Sequence, residues 1–320
     1  MLVLTNDQIS SLLGFDEVIA SVETAMVANE NKTAVAPQRM HIDYGNNSML
    51  CMPAISTDYL STKLVAVVPG NTKNKLPVIN AVLLLQDKHT GIPLALMNAG
   101  KLTALRTGAL GAVGLRYTTP ANIDSIGLIG LGVQGFQLAV YSCSVRPLKT
   151  IFVLKRNEET FLLFIQHVHR YFPKVKIVAC KTAKEMLGKT DVIIAATTSA
   201  TPVLPDEKAL LKGKHFISIG SYKPTMQEFP DAVYRLAGNL VIDSDAARQE
   251  TGDIINSVKK RIIKTKNVFT LGKLITGERQ INVLETTVYK SAGMALFDLF
   301  LAEALYKKAL KKKIGTVADL

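Results

Sequence analysis

The chain has 320 residues, 48% of them hydrophobic, and a formal net charge of +12; it reads as a well-buried globular protein with room for two cores, not as a disordered one. No apolar run reaches the roughly 18 residues of a membrane span, and the start Met1-Leu-Val-Leu-Thr-Asn-Asp7 lacks the basic stretch and cleavage site of a secretory leader, so a cytoplasmic location without membrane attachment is expected. Cys51, Cys143 and Cys180 are scattered and the histidines show no ligand spacing, which argues against disulfides and metal, while the lysines and arginines, dense only at Lys259-Lys260-Arg261 and from Lys307 to Lys313, lack the interleaved aromatics of a nucleic-acid reader.

In chain order, Asn6 is placed to cap a short helix to Leu13, and Phe15, Val18, Ile19, Val22 and Met26 give a second helix from Phe15 to Asn29. From Pro37 to Leu96 the pattern changes to short strands: Arg39 to Tyr44, Ser48 to Pro53, Ser61 to Val68, Val78 to Gln86 and Pro93 to Met97. Gly45-Asn46-Asn47 and His89-Thr90-Gly91 supply turn chemistry between them, so this region is read as antiparallel. Leu102 to Leu115 follows as a helix.

Ser125 to Ile129 is a short apolar strand of the kind a parallel sheet buries on both faces, and it runs directly into Gly130-x-Gly132-x-x-Gly135 and a helix opened by Val133 and Gln134. That is a dinucleotide-binding turn: Gly130 permits the tight turn, Gly132 admits a pyrophosphate to the backbone, Gly135 lets helix and strand pack, and the free N–H groups of the helix start face the phosphate. The next strand, Thr150 to Leu154, ends in Lys155-Arg156-Asn157, about 20 residues past the last glycine, where an acid would hold the ribose hydroxyl of NAD. Positive charge stands there instead, which suits a 2′-phosphate, so NADP(H) is expected to be preferred, with NAD(H) the alternative. Strands at 176–180, 191–196, 216–219 and Asn239 to Asp243 alternate with helices and complete a doubly wound parallel sheet. One long helix from Thr286 to Lys311 is then expected, with Val288, Ala292, Ala295, Leu296, Leu299, Ala302 and Leu305 on one side.

Several segments together resemble the ornithine cyclodeaminase/mu-crystallin family. They are Ala36-Pro-Gln-Arg39, Lys63-Leu-Val, Gly91-Ile-Pro-Leu-Ala, Thr103-Ala-Leu-Arg106-Thr107-Gly108-Ala109, the glycine turn, Asp191-Val-Ile-Ile-Ala-Ala-Thr197-Thr198-Ser199, Gly220-Ser221-x-x-Pro224-x-x-x-Glu228 and Thr287-Val-Tyr-Lys290-Ser291-Ala-Gly293. The resemblance implies an α/β chain in which residues 120–291 form the Rossmann-type domain, while 1–119 and 292–320 form an α+β domain for substrate binding and dimerisation. It also implies a homodimer and a small amino or imino acid substrate faced by Arg39, Lys63 and Arg106. Two guanidinium groups can bind a carboxylate bidentately, and a lysine desolvated between cations loses its proton more readily. By the same resemblance Thr107, Thr197, Thr198, Ser199, Ser221 and Ser291 are expected to line the cofactor.

One departure bears on the reaction. Ornithine cyclodeaminases carry an aspartate directly after the glycine that matches Gly220, whereas Ser221-Tyr222-Lys223-Pro224 stands here with no carboxylate before Glu228. A hydroxyl titrates too far above neutrality to replace that base. The pattern resembles the family's reductases and amino-acid dehydrogenases, and the expected reaction is reduction of a small cyclic α-imino acid, Δ1-pyrroline-2-carboxylate to L-proline. Redox-neutral cyclodeamination of ornithine, an alanine-type dehydrogenase and an NADPH-dependent small-ligand binding protein are the alternatives.

Overall fold

The computed structural model describes residues 1–319. Its strands in the first half are β1 (Leu2–Leu4), β2 (Met40–Tyr44), β3 (Asn47–Ile55), β4 (Tyr59–Val67), β5 (Ile79–Asp87), β6 (Pro93–Asn98), β7 (Ser125–Ile129) and β8 (Thr150–Leu154). There follow β9 (Lys176–Cys180), β10 (Val192–Ala195), β11 (His215–Ser218), β12 (Leu240–Ile242), β13 (Val268–Thr270), β14 (Thr287–Lys290) and β15 (Thr316–Val317). The chain divides into one unit of Met1–Arg106 with Met294–Leu320 and a second of Thr107–Gly293.

The first unit holds a sheet in the order β15-β1-β6-β5-β4-β3-β2, antiparallel at each pairing except β1 with β6. Alternation along a strand sends every second side chain to one face. Leu50, Met52 and Ala54 of β3, Ser61, Lys63 and Val65 of β4, and Leu83 and Leu85 of β5 are therefore buried together. The helices Phe15–Glu30 and Ala295–Lys312 belong to the same unit and pack against each other. On the positions between, Met49, Leu64 and Val82 remain 40–46% exposed, and with Tyr44 they line an apolar groove.

The second unit holds eight strands, β13-β12-β14-β11-β10-β7-β8-β9, all parallel. Strand order reverses between β7 and β10, and the crevice at the carboxyl ends of such neighbours is where open α/β sheets take ligands.

The expected helix from Thr286 is corrected. Thr287–Lys290 is β14, fully buried between β11 and β12, and helix begins only at Ala295, after Gly293 at φ +78. Two β-branched residues and a tyrosine favour the extended chain, and so short an apolar run fits a period of 3.6 or of 2 equally well. The strands β1, β13 and β15, of three, three and two residues, escaped sequence reading for want of length. Thr5, not Asn6, caps the first helix, its N–H donating to Gln8 Oε1 at 2.9 Å. Among the described residues no helix is long and apolar enough to cross a membrane.

The second unit begins at Thr107, within the helix Ala99–Thr118, and the later turns of that helix pack inside it. Gly108, Gly111 and Gly114 recur every three residues, and a Cβ at these positions would stand 2.4 Å from the Tyr141 ring, 2.1 Å from Leu138 and 2.2 Å from the Tyr289 ring. Replacing a helical glycine by alanine ordinarily gains about 1 kcal/mol, but overpacking costs roughly 1–3 kcal/mol. The Tyr289 ring is fully buried and has little room to yield. Gly114→Ala is accordingly expected to lower the denaturant midpoint; a midpoint above that of the unmodified protein would contradict this packing.

Candidate active site

The glycine turn after β7 uses its three glycines differently. Gly130 sits at φ +100, and a Cβ there would lie 2.4 Å from the Ala196 carbonyl oxygen; one on Gly135 would lie 2.0 Å from the carbonyl oxygen of Gly130. Gly132 instead borders open space and caps the helix Val133–Val145. Two glycines thus allow close packing, and the third leaves the helix start approachable. A cavity of about 330 Å³ opens there, bounded by the turn, by Leu154 at the end of β8 with Arg156, Asn157 and Thr160 after it, and by Ala196, Thr197 and Thr198 beyond β10. These features fit a dinucleotide, with the pyrophosphate on the helix N-terminus. No acid is among the residues lining this cavity.

The other expected cofactor residues are placed unequally. Lys155 does not line the cavity; its ammonium is 2.5 Å from Glu158. Asn157 caps the helix Glu158–Tyr171 by accepting from the Thr160 N–H at 2.9 Å. Val133 is exposed, Gln134 half-buried and Thr107 buried. The Ser199 hydroxyl turns to the Thr201 carbonyl oxygen at 2.6 Å. Ser291 donates to Asp243 at 2.7 Å, and Ser221, fully buried, bonds Thr251 and Asp253. The side chains of Ser221 and Ser291 are thus engaged inside the protein.

What holds the crevice is Glu228, a carboxylate with no exposure. One oxygen accepts from the N–H and hydroxyl of Thr197 at 2.6 and 2.9 Å, and the other from the Ser218 hydroxyl at 2.7 Å and the Gly220 N–H at 2.8 Å. It therefore ties the end of β10 to the end of β11. The equally buried Lys290 lies 3.9 Å away, its affinity for a proton lowered by burial. Asp253 accepts in turn from Tyr234, from Ser221 and from the Glu228 N–H. Sequence reading noted Glu228 and Lys290 only within motifs and did not mention Asp253; three buried charges with no local periodicity leave little to see.

The first unit carries the second constellation. Lys63 is 2% exposed, its Nζ 2.5 Å from Asp298 Oδ2 and 3.4 Å from the Thr103 hydroxyl. Asp298, 1% exposed, reaches Arg106 Nε through its other oxygen at 3.3 Å. Arg39, half-buried just before β2, adds its charge to the field on Lys63. Burial pulls the lysine pKa down to about 8, with Arg106 and Arg39 acting the same way and Asp298 opposing them. Arg39, Lys63 and Arg106, far apart in sequence, thus share one electrostatic environment. Asp298 was missed, although an acid on the apolar side of a helix with Ala295, Leu299, Ala302 and Leu305 is a visible signal. Among the described residues no group of three or more His, Cys, Asp or Glu side chains could hold a metal ion.

The sequence model of the ornithine cyclodeaminase/mu-crystallin family matches residues 1–313. The chain belongs to this family. A Δ1-pyrroline-2-carboxylate reductase of Bacillus thuringiensis subsp. konkukian is 34% identical over 98% of each chain. The structure of the Thermococcus litoralis Δ1-pyrroline-2-carboxylate reductase, in complex with NADH and L-proline, matches with a TM-score of 0.93 at 32% identity, covering 99% of this chain and 100% of that one. An archaeal alanine dehydrogenase dimer with bound NAD gives 0.92 at 27% identity, covering 100% of this chain and 99% of that one.

Removing Glu228 from this member of the family would orphan the donors at the ends of β10 and β11 and leave Lys290 without the carboxylate 3.9 Å away. Breaking a buried pair in this way costs about 3–5 kcal/mol. Glu228→Ala should therefore unfold at much lower denaturant concentration, and a loss below about 1 kcal/mol, the scale of an exposed pair, would show that the carboxylate is not the tie described.

Proposed function

We propose that the chain is an NAD(P)H-dependent reductase of a small cyclic α-imino acid, with Δ1-pyrroline-2-carboxylate reduced to L-proline. The observation that carries the reading is the buried Lys63, matched by Asp298 and bordered by Arg106, with a proton affinity lowered into the range useful for transfer near neutrality. The likeness to reductases of that substrate supports it.

In this reading Arg39 and Arg106 take the substrate carboxylate and fix the ring, and Lys63 holds a proton at the ring nitrogen. The reduced nicotinamide supplies the hydride when bound. As the α-carbon gains its C–H bond, the π pair of the C=N bond moves onto nitrogen, where the lysine proton meets it; solvent then restores the ammonium of Lys63. Orientation by the two guanidinium groups carries much of the rate. Gly130 to Gly135, Thr197 and Thr198 hold the cofactor. Cyclodeamination would ask for a further base, and the residue at that position, Ser221, has its hydroxyl committed to Thr251 and Asp253.

The partner of the first unit's exposed apolar positions, Met49, Leu64 and Val82 among them, is in this reading a second copy of the chain. The dimeric alanine dehydrogenase supports that assignment. The reading is tested by supplying NADPH with Δ1-pyrroline-2-carboxylate and, separately, NAD with L-ornithine. The first should consume NADPH one for one with proline formed; the second should release no ammonia. Ammonia appearing together with proline from ornithine would replace this reading by cyclodeamination.

On the cofactor, we infer a preference for NADPH over NADH, because Arg156 borders the cavity where no acid stands. Loss of a charge-assisted phosphate contact costs roughly 1.5–3 kcal/mol, or about tenfold and more in binding. Arg156→Ala should raise the KM for NADPH by about that factor and leave the KM for NADH nearly unchanged. Equal use of both cofactors by the unmodified protein would remove the preference.

A further inference from the structure

Asp298 stands where packing alone would choose a hydrocarbon. Its helix buries Ala295, Leu299, Ala302 and Leu305 along the same side, and the carboxylate among them is 1% exposed. An ionised group so placed is costly unless its oxygens are matched. Both are: Oδ2 takes the Lys63 ammonium from β4, and Oδ1 takes Arg106 Nε from the helix Ala99–Thr118. We propose that Asp298 is the positioning residue of this site, one carboxylate that holds Lys63 and Arg106 at a fixed separation and keeps the lysine charged while it waits for substrate. The proposal rests on the reductase reading given above.

The geometry divides the labour on Arg106. With Nε turned to Asp298, the guanidinium meets a substrate carboxylate through its Nη edge, and the direction of that edge is set by the aspartate behind it. On Lys63 the effect is electrostatic. The groups that face it are Asp298 from the C-terminal helix, Arg106 and the Thr103 hydroxyl from the helix Ala99–Thr118, and Arg39 from the segment before β2. Asp298 alone among the charged groups named favours the ammonium; the arginines and burial disfavour it. Without the aspartate, the lysine would face only cations in a dry pocket and would give up its proton at lower pH. The transfer step needs that proton, because the nitrogen that receives the π electron pair must take it from Nζ.

The test compares the unmodified protein with Asp298→Asn, which keeps the shape and loses the charge, and with Asp298→Glu, which restores it. For the unmodified protein, kcat/KM for imine reduction should fall as pH rises through about 8, where Lys63 of the free enzyme loses its proton. In Asp298→Asn that descending limb should move at least about one unit lower, as expected when an opposite charge in direct contact is removed, and Asp298→Glu should return it towards its original place. The KM for NADPH should stay the same. A lower kcat with the limb unmoved would leave Asp298 a structural residue and overturn the proposal.

A second measurement needs no turnover. In protein labelled with ¹³C-lysine, the Lys63 Cε resonance is identified by its loss in Lys63→Met. Its midpoint should be near 8 in the unmodified protein, and lower by about a unit in Asp298→Asn. A midpoint below neutrality in the unmodified protein overturns the proposal even if the asparagine variant does not fold. If the resonance behaves as expected and no imine is reduced, the reductase reading fails and the pairing of Asp298 with Lys63 stands.

Discussion

An ionised carboxylate taken out of water must find donors for both oxygens, and each unit of this chain is arranged around one that does. In the second, Glu228 gathers N–H and hydroxyl groups from the ends of β10 and β11, so the rim of the crevice is held by a charge instead of by loop packing. In the first, Asp298 gathers two cations. The contrast lies in what matches them. Neutral donors dominate around Glu228 and tie the crevice's strands together; charged donors surround Asp298, where proton affinity can be adjusted.

The legible parts of the fold were those with local causes. A strand, three spaced glycines and a helix start lie within a dozen residues; Gly130 and Gly135 have a steric reason in a neighbouring carbonyl oxygen, while Gly132 borders open space. Lys63 was legible only through the family resemblance, since a lysine read by itself is more often a surface charge; in the structure, alternation along β4 puts it inward between Ser61 and Val65. Arg156 and Lys155 show the limit of such reading. They are adjacent and alike in charge, yet one borders the cavity and the other pairs with Glu158, a choice made by the turn into the next helix.

What was not legible depended on distant partners. Thr287–Lys290 carries an apolar pattern too short to declare its period, and only the gap between β11 and β12 makes it a strand. Asp298 is a single acid whose partners lie 235 and 192 residues earlier in the chain. The hydroxyl of Ser221, a residue expected from resemblance to line the cofactor, has as its partner Asp253, thirty-two positions later. In each case the deciding neighbour is remote in sequence, and local spacing carries no record of it.

The insertion of β14 between β11 and β12 orders events in the life of the chain. Parallel pairing across a long crossover is slow, because loop closure must precede the contacts that reward it. Here β12 and β13 are made before the strand that joins them to β11, so the sheet cannot be continuous until residue 290 has been synthesised. The next segment, Ala295–Lys312, supplies the helix packed on Phe15–Glu30, and β15 covers the edge of β1. Both units thus wait for residues beyond Thr287 before these edges are paired, and a chain shorter than that leaves strand edges open to pairing with other chains.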